Sequence, residues 1–105
     1  MRIYIAGPMT GKPQMNFPLF NTVATQLREQ GHEVVNPAEM EDHSRTLTDI
    51  IKQDIEALLT CDAIMMLPEW EWSPGAKAEL AVAKWAGLTI RNWLHEQMRH
   101  EAITA

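Results

Sequence analysis

The chain has 105 residues and a mass of 12.0 kDa, which suffices for one packed core but not for two. We therefore expect a single domain over residues 1–105. A hydrophobic fraction of 46% and a charged fraction of 22% are typical of a folded globular protein. The formal net charge is -5, with acidic and basic residues interspersed. This pattern argues against binding of a nucleic-acid polymer, because such a groove needs clustered lysines and arginines.

Apolar and cysteine patterns predict a protein that neither crosses a membrane nor forms disulfides. The longest apolar run, residues 63–67, is far shorter than the roughly 18 residues needed to span a bilayer. The N-terminal sequence MRIYIAG leads directly into a predicted strand and lacks the features of a secretory signal, so we expect a cytoplasmic location. Cys61 is the single cysteine, and we expect it to be a buried structural thiol.

The first half of the chain predicts two strands that flank a helix. Residues 2–6 form a β-branched run that ends at Gly7, and residues 33–36 form a short run closed by Pro37. Between them, Asn16 is the predicted N-cap of a helix that stops at Gly31. Its apolar residues recur at helical spacing: Phe17, Phe20, Val23, Ala24 and Leu27. The polar stretch 38–45, with Glu39, Glu41, Asp42 and His43, is predicted to be a mobile loop.

The second half repeats the alternation of helix and strand. A helix is predicted over residues 47–60, with one apolar side made of Ile50, Ile51, Ile55, Leu58 and Leu59. The run AIMML is short and wholly apolar, which is typical of a strand buried on both faces near the middle of a parallel sheet. A helix from Ser73 to about Gly87, a strand over residues 88–90 and a polar helix over about residues 92–103 complete the chain.

The alternation predicts a small flavodoxin-like or Rossmann-like α/β fold. We expect a parallel sheet of four to five strands with helices on both faces. In such sheets ligands bind at the carboxyl ends of the strands, where the loops of residues 7–13, 36–45 and 68–75 converge. These three loops define the candidate site.

Several familiar motifs fail on spacing. The loop GPMTGKP has one residue too few between its glycines for a P-loop, and a proline replaces the magnesium-binding Ser or Thr. Gly7 and Gly11 therefore either approach a ligand or serve only a tight turn. HEQMRHE places its second histidine one residue too late for a zinc-protease helix. We expect neither a metal nor an organic cofactor.

Glu79 stands out within the stretch WSPGAKAEL. Ser73 is a plausible N-cap with Pro74 at the first helical position, but a capping-box acid belongs at position 76, which is alanine. The residues three and four positions away carry no charge: Gly75, Ala76, Val82 and Ala83. Gly75 gives a ligand clearance, and the helix dipole favours an ionised carboxylate, which suits a nucleophile or base. The alternative is a half-exposed surface glutamate with small neighbours.

Four segments match, in order and spacing, the pattern of a known family. They are IYIAGPMTG at the first strand, VVNP at the second, DIEALLTCDAIMML leading into the third and SPGAKAELAVA at the helix of Glu79. Over about residues 1–90 the chain resembles the nucleoside 2-deoxyribosyltransferase-like proteins, and among them the short phage and prophage members.

The resemblance implies cleavage of the N-glycosidic bond of a deoxynucleoside or its 5'-monophosphate. Glu79 matches the family nucleophile, which forms a deoxyribosyl-enzyme that passes the sugar to another base or to water, as in a retaining glycosidase. Asp54 matches an acid that positions the sugar or assists the leaving base, and Tyr4 matches a strand tyrosine of the site. The candidate substrate-binding residues are Gly7, Pro8, Met9, Asn36, Trp70, Trp72, Ser73 and Gly75. A homo-oligomer is also implied.

The sequence leaves alternatives open for both the substrate and the activity. Ser73 occupies the position at which the 5'-monophosphate hydrolases carry serine, which favours a nucleotide, although a simple N-cap explains it equally well. Trp70 and Trp72 either stack on a base, or line the rim of a pocket or pack at an interface. Pro8 replaces a serine that the hydrolases use, which favours a catalytically silent nucleotide-binding module. A structural interaction protein that uses its tryptophan-rich loop is the third interpretation.

Overall fold

The computed structural model describes residues 1–40 and 45–104, with residues 103 and 104 described by their backbone alone. The described part contains the strands β1 (Arg2–Ala6), β2 (Glu33–Val35), β3 (Ala63–Met66) and β4 (Thr89–Asn92). The helices are α1 (Phe17–Glu29), α2 (Leu47–Leu59), α3 (Pro74–Ala86) and α4 (Trp93–Thr104). Short 3-10 turns lie at Pro13–Asn16, Pro37–Glu39 and Trp70–Trp72.

The strands form one parallel sheet in the order β2-β1-β3-β4. The central pair is in register from Ile3 opposite Ala63 to Ala6 opposite Met66. As predicted, β3 lies in the interior of the sheet and all four of its residues are buried. The predicted α/β class is confirmed, with four strands in the described residues.

Side chains alternate between two cores, one on each face of the sheet. Ile3, Ile5, Ala63 and Met65 face α1 and Trp93 at the start of α4. Tyr4, Ala6, Ile64 and Met66 face α2 and α3. Helices therefore cover both faces, as the continuous apolar strands require.

Helix α2 begins at the predicted residue but does not bury the predicted face. Thr46 forms a capping box with Asp49, which explains the start at Leu47. Of the apolar residues expected inside, Leu58 is buried, whereas Ile51 and Leu59 are 52% and 54% exposed. Periodicity identifies the apolar side of a helix, but the tertiary packing decides how much of that side is buried.

Three local predictions need correction. Asn16 precedes α1 but does not cap it through its side chain, because its backbone is left-handed, with φ 61°, and Nδ2 donates to the Pro8 carbonyl oxygen instead. Within the predicted loop 38–45, residues 37–39 form a 3-10 turn, and Glu41, Asp42 and His43 lie outside the described residues. The last strand begins at Thr89 and extends to Asn92, two residues beyond the prediction.

Cys61 is buried and unpaired, as expected, and burial raises the pKa of its thiol. Its Sγ lies 3.4 Å from the carbonyl oxygen of Ala57, one turn earlier in α2. The described residues contain no helix that is both long and apolar enough to cross a bilayer.

Candidate active site

A cavity of about 660 Å³ opens at the carboxyl ends of β1 and β3. The chain runs from β1 to its neighbour β2 and then to β3 on the other side of β1. The strand order therefore reverses at β1, and ligands of open α/β sheets bind at such a switch point. The volume lies within the range of roughly 300–1,000 Å³ that is usual for small-molecule sites. Its walls are β1, the loop after β1, the first half of α2 and the start of α3.

Tyr4 and Glu79 meet in this cavity. Tyr4 lies on central strand β1 with its side chain fully buried, and its hydroxyl donates a short hydrogen bond to Oε2 of Glu79. The two residues are far apart in the sequence. They meet because the fold places the middle of β1 next to the second turn of α3. The structure thus places Tyr4 and Glu79, two residues that the resemblance assigns to the site, in direct contact.

The start of α3 is built as the sequence predicts. Ser73 has extended backbone angles, and its Oγ accepts a hydrogen bond of 3.1 Å from the Ala76 backbone N–H. Pro74 occupies the first turn, where it has no N–H to leave unpaired. Gly87 ends the helix with φ 79°, the left-handed conformation that glycine adopts without strain. These caps set the ends of α3. Its buried residues Ala76, Leu80 and Ala83 pack into the core, and Glu79 lines the cavity.

The ionisation of Glu79 differs from the sequence-based expectation. Burial raises the pKa of this carboxyl to about 7, the Tyr4 hydrogen bond opposes that increase, and the charge of Asp54 adds to it. The helix dipole was expected to keep Glu79 ionised, but loss of hydration is the larger effect at this depth. The phenol of Tyr4 also has a raised pKa, because it is buried beside two carboxylates, and it remains a hydrogen-bond donor.

Asp54 is the second carboxylate of the cavity. It lies midway along α2, lines the cavity with Glu79 and is partly buried. Burial raises the pKa of Asp54, whereas the guanidinium of Arg45 lowers it. Its position at the edge of the apolar side of α2 agrees with the sequence pattern. Two partly buried acids and one phenol thus share a single cavity.

The loop after β1 forms the floor beside these groups. Gly7, Pro8 and Met9 line the cavity, as predicted. Gly7 is required by a close approach, because a Cβ atom there would lie 2.8 Å from the Leu67 Cβ atom, and Gly11 has φ 83° in the following turn. Asn16 holds the loop through its hydrogen bond of 2.9 Å to the Pro8 carbonyl oxygen.

Two predicted binding residues lie outside the cavity lining. Asn36 is 3% exposed, and its side chain donates to Asn21 Oδ1 at 3.0 Å and accepts from the Ala38 N–H at 3.1 Å. Its amide therefore braces the turn that follows β2. Trp70 packs against the core formed by α2 and α3. The other predicted tryptophan, Trp72, lines the cavity and is 82% exposed.

Sequence reasoning missed most of the apolar wall. The unpredicted lining residues are mainly hydrophobic: Ile5, Thr10, Phe20, Pro37, Leu47, Ile50, Ile51, Ile55, Pro74, Ala76 and Ala78. The isoleucines of α2 have the spacing of core residues, but in the structure Ile50, Ile51 and Ile55 line the cavity. The available signal was Asp54, a carboxylate at the edge of that apolar side.

The described residues contain no cluster of three or more His, Cys, Asp or Glu side chains arranged to hold a metal ion. Among the described residues that line the cavity, the carboxyl groups are those of Asp54 and Glu79, and no lysine or arginine is present. The groups able to act on a ligand are therefore Glu79, Asp54, the Tyr4 hydroxyl and the hydroxyls of Thr10 and Ser73.

Comparison with known proteins places the chain in a family. The sequence profile described as a domain of unknown function, DUF4406, matches residues 1–92. The chain belongs to the DUF4406 family. No curated protein matches it significantly.

Solved structures share the fold of this DUF4406 chain. A 2-deoxyribosyltransferase from Bacillus psychrosaccharolyticus superposes with a TM-score of 0.72 at 22% identity, over 88% of this chain and 71% of the other. A 2-desoxiribosyltransferase from Leishmania mexicana gives a TM-score of 0.68 at 26% identity, over 87% of this chain and 62% of the other. The predicted resemblance to the 2-deoxyribosyltransferases is thus confirmed at the level of the fold.

Proposed function

We propose that this DUF4406 chain cleaves or transfers at the N-glycosidic bond of a deoxynucleoside, with Glu79 as the nucleophile. The observation that carries the proposal is the convergence of Glu79, Asp54 and the Tyr4 hydroxyl in one largely apolar cavity. The 2-deoxyribosyltransferases that share the fold support it, since the chain spans 71% and 62% of their lengths.

In the proposed first step, a carboxylate oxygen of Glu79 attacks the anomeric carbon of the sugar. The bond from that carbon to the base nitrogen breaks, its electron pair leaves with the base, and a glycosyl ester forms on Glu79. The Tyr4 hydroxyl engages Oε2 and fixes the plane of the carboxylate, which leaves Oε1 for the attack. Only the ionised form of Glu79 is a nucleophile, and its pKa of about 7 makes that form abundant from neutral pH upward.

Asp54 is proposed as the partner acid. Burial raises the pKa of this carboxyl, and a raised pKa favours a protonated form able to donate to the departing base. In the second step, attack on the ester by a second base returns the sugar to nitrogen, and attack by water releases it. Either nucleophile loses a proton, for which Asp54 is the proposed acceptor.

The apolar wall suits the remaining requirements of the reaction. Leu47, Ile50 and Ile51 from α2 lie in the same lining as Trp72. A planar base is proposed to bind among these side chains, since aromatic and aliphatic surfaces bind flat rings without requiring hydrogen bonds. Exclusion of water by such a wall strengthens the electrostatic interactions inside the cavity.

A homo-oligomer is part of the proposal. Large apolar side chains remain exposed at the cavity rim and beyond it: Leu47, Ile51, Leu59, Trp72 and Trp85, with exposures of 52–92%. Burial of such surface is favourable, at about 25 cal/mol per Å², so association of copies through these helices is expected. Light scattering coupled to size-exclusion chromatography measures the mass directly, and a monomer at high micromolar concentration would contradict this part.

The test of the function is chromatographic detection of free base. The protein is incubated with each deoxynucleoside and each 5'-monophosphate, with and without an added second base, beside Glu79→Gln. Release or exchange of base by the wild type alone supports the proposal. Wild-type turnover no greater than that of Glu79→Gln would contradict the proposed function. Tight calorimetric binding without turnover would instead support a silent nucleotide-binding module.

A further inference from the structure

Two loops at the carboxyl ends of neighbouring strands form part of the cavity wall. The β1 loop, residues 8–16, supplies Met9 and Thr10 to the lining, and the β3 loop, residues 67–73, supplies Trp72. A change in the separation of these two loops would therefore change the width of the cavity.

An ion pair joins the two loops. Lys12 Nζ of the β1 loop contacts Oε2 of Glu69 in the β3 loop. Both side chains are partly exposed to solvent, and an ion pair of this kind is weak because water and salt screen its charges. A contact of this strength breaks and re-forms readily, which suits a latch.

The β1 loop is a closed unit with a neck of its own. Asn16 Nδ2 donates a hydrogen bond of 2.9 Å to the Pro8 carbonyl oxygen, which joins the two ends of the loop. Inside the loop, the Lys12 N–H donates to the Met9 carbonyl oxygen and the Met15 N–H donates to the Lys12 carbonyl oxygen. A short loop with joined ends is an Ω-loop, and such loops are frequently functional. These bonds allow the β1 loop to move about its neck as one body.

One limb of the β1 loop is strained. Gln14, Met15 and Asn16 have φ angles of 53°, 55° and 61°, so three consecutive residues other than glycine are left-handed. This conformation brings Cβ too close to the following carbonyl oxygen, and residues usually adopt it singly. Asparagine tolerates it, whereas glutamine and methionine do so at a cost in free energy. Strain that surrounding contacts hold in place is typical of ligand clamps and switch regions.

We propose that the β1 loop is a strained flap at the cavity and that the ion pair between Lys12 and Glu69 is its latch. In the latched form, Met9 and Thr10 line the cavity. When the latch breaks, relaxation of the left-handed limb carries the β1 loop away from the β3 loop and widens the cavity entrance. The role of this opening in the entry and release of substrate rests on the proposed function, whereas the opening itself does not.

Hydrogen exchange of the ligand-free protein, followed by mass spectrometry, tests the opening. The reporters are the Lys12 and Met15 N–H groups, and protection is compared with that of the unstructured peptide to remove effects of sequence. Lys12→Gln should lower the protection of the β1 loop by about two- to fivefold, the effect that one exposed ion pair can supply. Lys52→Gln removes the same charge from an exposed site on α2 and should leave the protection unchanged. Salt at about 1 M should bring the wild type toward the Lys12→Gln value.

Exchange of the two charges gives the decisive comparison. Lys12→Glu and Glu69→Lys each place like charges opposite each other and should open the β1 loop further than Lys12→Gln does. The double variant restores opposite charges and should return the protection to within about twofold of the wild type. Single variants without effect, or a double variant as open as the single ones, would overturn the latch.

The strain is tested separately at position 14. Gln14→Ala and Gln14→Gly both remove an exposed side chain, but only glycine adopts a φ of 53° without strain. Glycine ordinarily loosens a chain relative to alanine. Here the β1 loop of Gln14→Gly should be the better protected of the two, by about twofold or more, because glycine relieves the strain that opens the loop. Weaker protection in the glycine variant would overturn the strained limb as the cause of opening.

Ligand binding separates this inference from the proposed function. A deoxynucleoside is added to Glu79→Gln, which lacks the proposed nucleophile, and its binding is measured by calorimetry. Bound ligand should slow exchange in the β1 loop, because it contacts Met9 and Thr10 in the latched form. Binding without any change in this exchange would overturn the role of the flap at the cavity. Absence of binding would count against the proposed function alone, and the charge and glycine variants then decide the latch.

Discussion

Replacement of Glu79 by glutamine is expected to stabilise the fold above neutral pH while it removes the proposed nucleophile. Burial raises the pKa of Glu79 from 4.5 to about 7, so ionisation is less favourable in the folded chain than in the unfolded chain. Because the folded pKa is the higher one, the folded state binds the extra proton between these two values. The free energy of unfolding therefore falls as pH rises from about 4.5 to 7.

The size of the effect follows from the shift. Each pKa unit corresponds to about 1.4 kcal/mol, so a rise from 4.5 to about 7 amounts to roughly 3 kcal/mol at pH 8, with most of it absent at pH 5. Glutamine avoids this cost and still offers Tyr4 an acceptor oxygen. For a domain of this size, 2–3 kcal/mol changes the melting temperature by on the order of 10 °C.

Thermal unfolding followed by circular dichroism at pH 5 and pH 8 measures the difference. The variant is expected to melt close to the wild type at pH 5 and about 10 °C higher at pH 8. Glu56→Gln, which changes an exposed glutamate of α2, is the control and is expected to show no such dependence. A Glu79→Gln protein that melts below the wild type at both pH values would refute the assignment of burial as the cause.

Three other substitutions give separate expectations. Tyr4→Phe removes the donor that lowers the pKa of Glu79, so the rising limb of the rate–pH profile should move from about 7 to higher pH, with a drop in kcat. Gly7→Ala should destabilise the fold by about 1–3 kcal/mol in denaturant titration, because the new Cβ atom would lie 2.8 Å from the Leu67 Cβ atom. Asn36→Ala should cost about 1–3 kcal/mol of stability, because it removes the two hydrogen bonds that this buried side chain makes, with KM nearly unchanged.

Controls separate these expectations from general damage. Gly75→Ala adds the same methyl group in α3, where no atom beyond its chain neighbours and the backbone of its own helix lies within 4 Å, so it should be as stable as the wild type or slightly more stable. An unchanged rate–pH profile in Tyr4→Phe would show that the Tyr4 hydroxyl does not influence the pKa of Glu79. A several-fold rise in KM in Asn36→Ala would indicate that Asn36 contributes to substrate binding.

Local patterns predicted the elements because each depends on a few neighbouring residues. The apolar run AIMML gives a strand buried on both faces, and Ser73 followed by Pro74 gives a capped helix start. The same patterns were least accurate where a side chain forms a hydrogen bond with a group outside its own helix or strand. Asn16 follows the cap rule in sequence, but its amide binds the Pro8 carbonyl oxygen, which only the returning loop places within reach.

The sequence drew attention to the two acids that line the cavity, but not to its apolar wall. Glu79 attracts notice because an acid lies among small residues, and the resemblance adds Asp54 and Tyr4. Asn36 and Trp70 both lie in loops at the carboxyl ends of the strands, where the site was predicted. The Asn36 side chain nevertheless braces the turn after β2, and the Trp70 side chain packs against the core. Which way a loop side chain turns depends on partners from other elements.

Periodicity and caps act over a few residues, so the sequence alone predicted the parallel sheet with helices on both faces and the start of α3 at Ser73. Only the tertiary structure decided the contact between Tyr4 and Glu79, the exposure of the α2 isoleucines to the cavity, and the raised pKa of Glu79. It also decided that the donors around Ser73 are largely used by the helix itself. The physical reason is that burial, charge balance and hydrogen-bond saturation depend on groups that are far apart in the chain.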